Sequence, residues 1–212
     1  MTRLCVIFDL DGTLVDSEGI GNQAFLDLLP DLADGVEALT ERYRGLKLAV
    51  ILDDLRSRLG RGLPEDFERH YRARVAELFT QSLRPIEGVP EMLAAVRYAK
   101  CVASSGPMAK IRHSLALCGL DHHFGDNVFS SYEMKSWKPD PGLFLHAAKA
   151  MGFSPSECVV IEDSEVGIAA AIAAGMTAMH FVPASGTRTL ERISFNAMSQ
   201  VPTLLVNHLA GR

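Results

Sequence analysis

Apolar residues along this chain fall into two patterns. Short continuous runs at 4–8, 100–103, 127–130, 157–161 and 177–182 are rich in Val, Ile, Phe, Ala and Cys. Runs of that length and composition predict strands buried on both faces. Between them, apolar residues recur at three- and four-residue spacing. Segment 107–118 carries Met108, Ile111, Leu115 and Cys118, with Pro107 near the start and Gly119 at the stop. Segment 141–151 carries Phe144, Ala147, Ala148 and Met151 and is ended by Gly152, while 165–174 is small and apolar and closes at Gly175. Pro at a start and Gly just past an end are the usual helix punctuation. A terminal helix over 200–209 opens near Pro202. Strands alternating with helices imply right-handed crossovers and a parallel, Rossmann-like α/β sheet covered by helices on both faces.

Residues 18–83 break this rhythm. They hold no strand pattern, but three helical ones: Ala24-Phe25-Leu28, Leu48-Ile51-Leu52-Leu55-Leu59 and Phe67-Tyr71-Val75-Leu78-Phe79. Charges fill the other faces, among them Arg42, Arg44, Lys47, Arg56, Arg58, Arg69, Arg72 and Arg74. The expected organisation is a core domain made of 1–16 and 84–212, with an inserted helical cap domain at 17–83 that is a candidate lid.

Composition narrows the class. A chain of 212 residues can bury one good core and a smaller second unit. With 26 acids against 21 Lys and Arg there is no basic footprint, so no nucleic-acid partner is expected. No apolar run reaches membrane-spanning length, so no membrane partner is expected either. The N-terminus enters the first predicted strand without a signal-peptide pattern. Cys5, Cys101 and Cys158 fall in predicted buried strands and Cys118 on an apolar helix stripe. None has metal or redox spacing, which reads as reduced packing thiols and a cytoplasmic location. His122-His123 stands outside any HExxH-like spacing and reads as surface or packing. Oligomeric state leaves no signature in the sequence.

The chemistry begins at Asp9-Leu10-Asp11-Gly12-Thr13, directly after the apolar run Leu4-Cys5-Val6-Ile7-Phe8. A strand ending there delivers two carboxylates to the carboxyl edge of the sheet, where open α/β sheets bind ligands. Gly12 permits the sharp turn. A calcium loop would need a Glu at its twelfth position, but counting from Asp9 that residue is Ile20. A plain turn does not explain two mutually repelling acids at the end of so apolar a strand. The pair points to a nucleophile with an acid/base partner.

Four ordered segments carry a family resemblance. Phe8-Asp9-Leu10-Asp11-Gly12-Thr13-Leu14-Val15-Asp16-Ser17 resembles the first motif of the haloacid dehalogenase-like hydrolases. Val102-Ala103-Ser104-Ser105 is similar to the second, Lys138-Pro139-Asp140-Pro141 to the third, and Val160-Ile161-Glu162-Asp163-Ser164 with Gly167 and Ala174-Gly175-Met176 to the acidic fourth. The resemblance implies phosphoryl transfer through an aspartyl-phosphate, with Asp9 as nucleophile. It also implies Mg²⁺, held by the Asp9 and Asp163 side chains and the Asp11 carbonyl, with Glu162 binding directly or through water. Asp11 would protonate the leaving alcohol and then activate water. Lys138 and Ser104 would meet the transferring oxygens, and Thr13 and Ser105 would contact substrate. Asp140 reads instead as the cap of the following helix. In the family a helical cap closes over the site, and Arg44-Gly45-Leu46-Lys47 matches a cap loop that reaches substrate, which makes Arg44 and Lys47 substrate-binding candidates.

Asp11 separates reaction classes, because dehalogenases lack an acid there and halide needs no proton. Its presence favours phosphate esters, but β-phosphoglucomutase-like members share it, so a phosphosugar mutase stays open. The Arg44–Lys47 loop, Ile86-Glu87-Gly88, Ser105-Gly106-Pro107, Trp137 before Lys138, and His146-Ala147-Ala148-Lys149-Ala150-Met151 are similar to the bacterial 6-phosphogluconate phosphatase branch. The reading is a Mg²⁺-dependent sugar-phosphate phosphatase acting on a small phosphate ester, with 6-phosphogluconate the first candidate. A non-catalytic phospho-ligand-binding regulator is the third alternative, disfavoured because every expected catalytic side chain is present.

Overall fold

The structure, a computed structural model, describes residues 3–183 and 193–211. Six strands form one parallel sheet: β1 (Cys5–Phe8), β2 (Ala99–Ser104), β3 (Val128–Ser130), β4 (Cys158–Glu162), β5 (Thr177–Phe181) and β6 (Ile193–Phe195), in the order β3-β2-β1-β4-β5-β6. β1 sits between β2 and β4, with Cys5 paired to Ala99 on one side and to Cys158 on the other. The order turns outward in both directions from β1, so a crevice opens at its carboxyl end. Asp9, Ser105 and Asp163 leave β1, β2 and β4 at that same edge.

Alternate residues of each strand feed two separate cores. Val6, Phe8, Val102, Val159, Ile161 and Met179 pack on one face against residues of α5 (Val89–Ala95), α6 (Met108–Leu117) and α10 (Val201–Ala210). Cys5, Ile7, Cys101, Ala103, Cys158 and Val160 pack on the other against residues of α8 (Gly142–Met151) and α9 (Glu165–Ala173). This double burial is why β1 is apolar at every position and the middle of β2 and β4 is too. Cys118 lies just past the end of α6 and is half-buried.

Between β1 and β2 run α1 (Glu18–Leu28), α2 (Val36–Tyr43), α3 (Leu48–Leu59) and α4 (Phe67–Ser82). Phe25, Leu39, Tyr43, Ile51, Leu55 and Phe67 form a third apolar cluster among them, with the Phe25 and Tyr71 rings stacked at 4.1 Å. Burying a side chain of this size contributes about 1.5–3 kcal/mol relative to exposure, and the remaining faces carry the charges. Val75 and Phe79 of α4 join the sheet-side core instead. The segments entering and leaving the four helices run side by side: Val15 bridges antiparallel to Pro85, Asp16 N donates to Arg84 O at 3.0 Å, and Ile86 N donates to Leu14 O at 3.0 Å.

Four helices and strands escaped the sequence pattern. α2 buries only Leu39 and Tyr43, α5 spans seven residues, α7 (Ser131–Met134) spans four and β6 spans three. No helix among the described residues is long and apolar enough to cross a membrane.

Candidate active site

Asp9 extends β1 by one hydrogen bond, its N–H donating to Ile161 O at 3.0 Å. The chain then turns through Gly12 at φ +78°, where a Cβ would collide with Asp163 Oδ2. Both the left-handed backbone and the close approach demand Gly. The turn brings the two acidic segments together. Carboxylate oxygens of Asp9, Glu162 and Asp163 lie within 4.8 Å of one another, and all three residues are buried.

Each carboxylate is held by a different device. Lys138 Nζ donates to Asp9 Oδ1 and, at 2.6 Å, to Glu162 Oε2, with the Lys138 side chain 4% exposed. Burial opposes the ammonium charge, but Asp9 and Glu162 outweigh it and hold Lys138 protonated above its ordinary range. Glu162 Oε1 accepts the backbone N–H of Ser164 at 3.1 Å and its hydroxyl at 2.7 Å. Ser164 caps α9, its Oγ accepting Gly167 N–H at 3.1 Å, so the carboxylate rests at the positive end of a helix. A Cβ on Gly167 would overlap Glu162 Cδ. Asp163 accepts the Thr13 hydroxyl at 3.1 Å on Oδ1 and Arg44 at 3.2 Å on Oδ2, and His180 Nε2 lies 3.0 Å from its carbonyl.

Crowded acids away from water resist ionisation. Burial first, then the Glu162 charge, pushes Asp9 well above the usual carboxylate range despite Lys138. Burial, Glu162 and Glu18 do the same to Asp163, against Arg44 and Thr13. Asp11 behaves in the opposite way. Burial pushes it up, but Lys110 at 2.6 Å and the Ser17 hydroxyl at 2.5 Å bring it below the usual range. Burial raises Glu18 to about 7 in spite of Arg44 at 3.0 Å. Three buried carboxylates this close together are hard oxygen donors that could hold a metal ion.

A cavity of about 650 Å³ opens above the trio, between the strand ends and the four helices. Asp9, Asp11, Glu162, Asp163, Lys138 and Ser105 all face it, together with Arg44 and Lys47. Thr13, expected to contact substrate, and Ser104, expected in the catalytic set, are not on this wall. Thr13 is fully buried and its hydroxyl is engaged behind Asp163, because the Gly12 turn folds it under the carboxylate. Ser104 is buried at the end of β2, its Oγ accepting Gly106 N–H at 3.1 Å, while Ser105, Gly106 and Pro107 form the cavity wall. Asp140 Oδ1 accepts Gly142 N–H at 2.8 Å at the start of α8, but it stands one residue before the cap position, which Pro141 occupies, so the expected cap is displaced by one.

The loop joining α2 and α3 presses onto the core. At Gly45 (φ +70°) a Cβ would come within 2.8 Å of Ser164 Cβ and Val166 Cγ2. Lys47 Nζ stands 4.0 Å from the centre of the Trp137 ring. Lys110, Ser17 and Glu18 also line the cavity, with no role read from the sequence. Ser17 ends the first motif and Glu18 follows it, but Lys110 on α6 had no local signal. Of the histidines, His122 and His123 stack on each other at 4.0 Å near the surface, away from any acidic cluster.

These features define an α/β protein with a buried acidic cluster at the carboxyl ends of its strands, facing a cavity beneath four helices. Residues 4–175 match the family model described as haloacid dehalogenase-like hydrolase. The chain is 37% identical to the 6-phosphogluconate phosphatase of Escherichia coli (strain K12), over 96% of each protein. It is 31% identical to the fructose-1-phosphate phosphatase YqaB of the same organism, covering 82% of this chain and 94% of that one. Among solved structures, a conserved haloacid dehalogenase-like protein from Agrobacterium tumefaciens superposes with a TM-score of 0.83 at 29% identity, covering 98% of this chain and 99% of that one. The chain belongs to the haloacid dehalogenase-like hydrolases.

Proposed function

We propose that this phosphatase hydrolyses a small sugar phosphate, with 6-phosphogluconate the first candidate, through an aspartyl-phosphate on Asp9. The observation that carries the reading is Asp9 at the end of β1, bonded to Lys138 and clustered with Glu162 and Asp163, with Asp11 on the same cavity. The relatives named as 6-phosphogluconate and fructose-1-phosphate phosphatases support the substrate class.

Asp9, Glu162 and Asp163 would hold Mg²⁺ with the Asp11 carbonyl. The ion would neutralise the acids and the phosphate oxygens so that anion can approach anion. Asp9 Oδ attacks phosphorus in line, the ester P–O bond breaks, and the Asp11 carboxyl gives its proton to the departing oxygen. Asp11, now a carboxylate, takes a proton from water, whose oxygen attacks phosphorus and frees Asp9 and inorganic phosphate. Lys138 supplies a fixed positive charge to the transferring oxygens. In the arrangement described, Lys110 and Ser17 hold Asp11 as the carboxylate, the form the second half-reaction uses. Donation in the first half requires Asp11 to part from Lys110.

The test is phosphate release with Mg²⁺ from 6-phosphogluconate, β-glucose 1-phosphate, hexose 6-phosphates, phosphoglycolate and p-nitrophenyl phosphate, with Asp9→Asn as the blank. Release lost in Asp9→Asn supports the reading. Isomerised sugar phosphate without free phosphate would replace it with a mutase.

A further inference from the structure

Resting on the phosphatase reading, we infer that Lys47 and Trp137 form the subsite for the end of the substrate remote from the phosphate, and that this subsite selects a carboxylate. Most cations on the cavity wall already have an acid to hold. Lys138 holds Asp9 and Glu162, Lys110 holds Asp11, Arg44 holds Glu18 and Asp163, and Arg72 holds Glu68. Lys47 also lines the cavity, but among the described residues it has no carboxylate partner; its ammonium rests on the Trp137 ring. A ring face steers an ammonium without cancelling its charge or occupying its N–H donors.

Trp137 brings a second unmatched group. Its indole Nε1 is buried and has no acceptor among the described residues, although the residue lines the same cavity. Buried donors without partners are costly and uncommon. An ammonium with uncancelled charge and an unmatched N–H, in contact with each other, call for a ligand that is anionic and accepts at more than one oxygen. A carboxylate meets both needs, whereas an alcohol meets only the second.

The placement suits a short acyclic chain. Trp137 immediately precedes Lys138, which reaches Asp9, and Lys47 lies three residues beyond Arg44, which reaches Asp163. Three residues of chain extend at most about 10 Å, so the pair and the acidic trio share one cavity wall. The Trp137 ring is fixed from behind by Tyr132, edge-on at 5.5 Å, whose hydroxyl accepts from Arg72 at 2.8 Å. The subsite therefore joins core and cap, and an anion bound there draws Lys47 and Trp137 together.

The experiment compares 6-phosphogluconate with sorbitol 6-phosphate, which has the same carbon count but ends in an alcohol. The expected ratio of kcat/KM, acid over alcohol, is at least about tenfold in the wild type, as befits a charge-assisted contact. Lys47→Met brings the ratio near one, Lys47→Arg restores most of it, and Trp137→Phe, which keeps a ring face but loses the N–H, lowers it in part. A wild-type ratio near one, or one unchanged in Lys47→Met, overturns the proposal while leaving the phosphatase reading intact. Should neither ester be hydrolysed, 6-phosphogluconate falls as the substrate while the wider panel decides the phosphatase reading, and the same comparison is made by binding. Trp137 is the only tryptophan in the chain, so its fluorescence reports on the subsite directly. About tenfold tighter binding of the acid, erased in Lys47→Met, then supports the subsite, and equal affinities overturn it.

Discussion

The Thr13 hydroxyl donates to Asp163 Oδ1 at 3.1 Å, across 150 positions of sequence. A buried threonine thus fixes the rotamer of a carboxylate expected to hold metal. Groups in this role tune affinity without touching the ion, and their loss costs about 10–100-fold. Thr13→Val, which keeps the shape, is expected to weaken Mg²⁺ binding within that range by calorimetry, with the circular dichroism of the native protein retained. Unchanged Mg²⁺ affinity would show that Asp163 is oriented without it.

Two glycines should separate stability from activity. Gly60 ends α3 at φ +61° and a Cβ there would meet nothing within 4 Å, so Gly60→Ala is expected to cost about 1 kcal/mol in denaturant unfolding and to spare turnover. Gly167→Ala drives a methyl into the Glu162 carboxylate. It should lower Mg²⁺-dependent phosphate release far more than the Gly60 variant does.

Asp54 gives a pH prediction. It accepts from Arg42 and, at 2.7 Å, from the Tyr43 hydroxyl, and the Arg42 hydrogen bond leads in holding its pKa down at about 2. A carboxylate depressed on folding adds stability that is complete above its unfolded value of about 4 and fades as pH falls through the folded one. Asp54→Asn should therefore be less stable than wild type at about pH 6 by urea melts, and the gap should narrow steadily below about pH 4. A gap that stayed constant with pH would mean the loss was one of packing.

Thiol chemistry tests the cysteine reading. Cys5, Cys101 and Cys158 are fully buried on one face of three adjacent strands, and the Cys101 hydrogen bond leads in pushing the Cys5 thiol far above its ordinary value, with burial adding to it. Burial also raises Cys118, but it is only half-buried. A colourimetric thiol reagent should find at most the one slow group in native protein and all four in denaturant. Fast reaction of several native thiols would contradict the packing.

The core was legible because its strands are buried twice over, which writes them as short runs dominated by apolar residues. Strand β6 carries too few residues for such a run, and α2 turns only Leu39 and Tyr43 inward, too narrow a stripe to register. The acidic pair after β1 was readable because Asp-x-Asp-Gly concentrates charge where an apolar strand stops. Which oxygen meets which neighbour was not. Thr13 turns under Asp163 and Ser104 behind Ser105 because the Gly12 turn and the end of β2 set those directions, and sequence spacing does not encode them. Lys110 pairs with Asp11 from 99 positions away, a contact only the crossing of α6 over the sheet edge creates.

The paired backbone of 14–16 and 84–86 has a further consequence. Since the chain leaves and re-enters the sheet layer at neighbouring, mutually hydrogen-bonded points, the four helices between them are tied to the sheet at this seam and touch it again through Val75, Phe79 and the Gly45 loop. Asp9 and Asp11 precede the seam and belong to the sheet side, whereas Arg44 and Lys47 reach the same cavity from the excursion. One cavity is thus walled by two stretches of chain whose ends are fastened to each other.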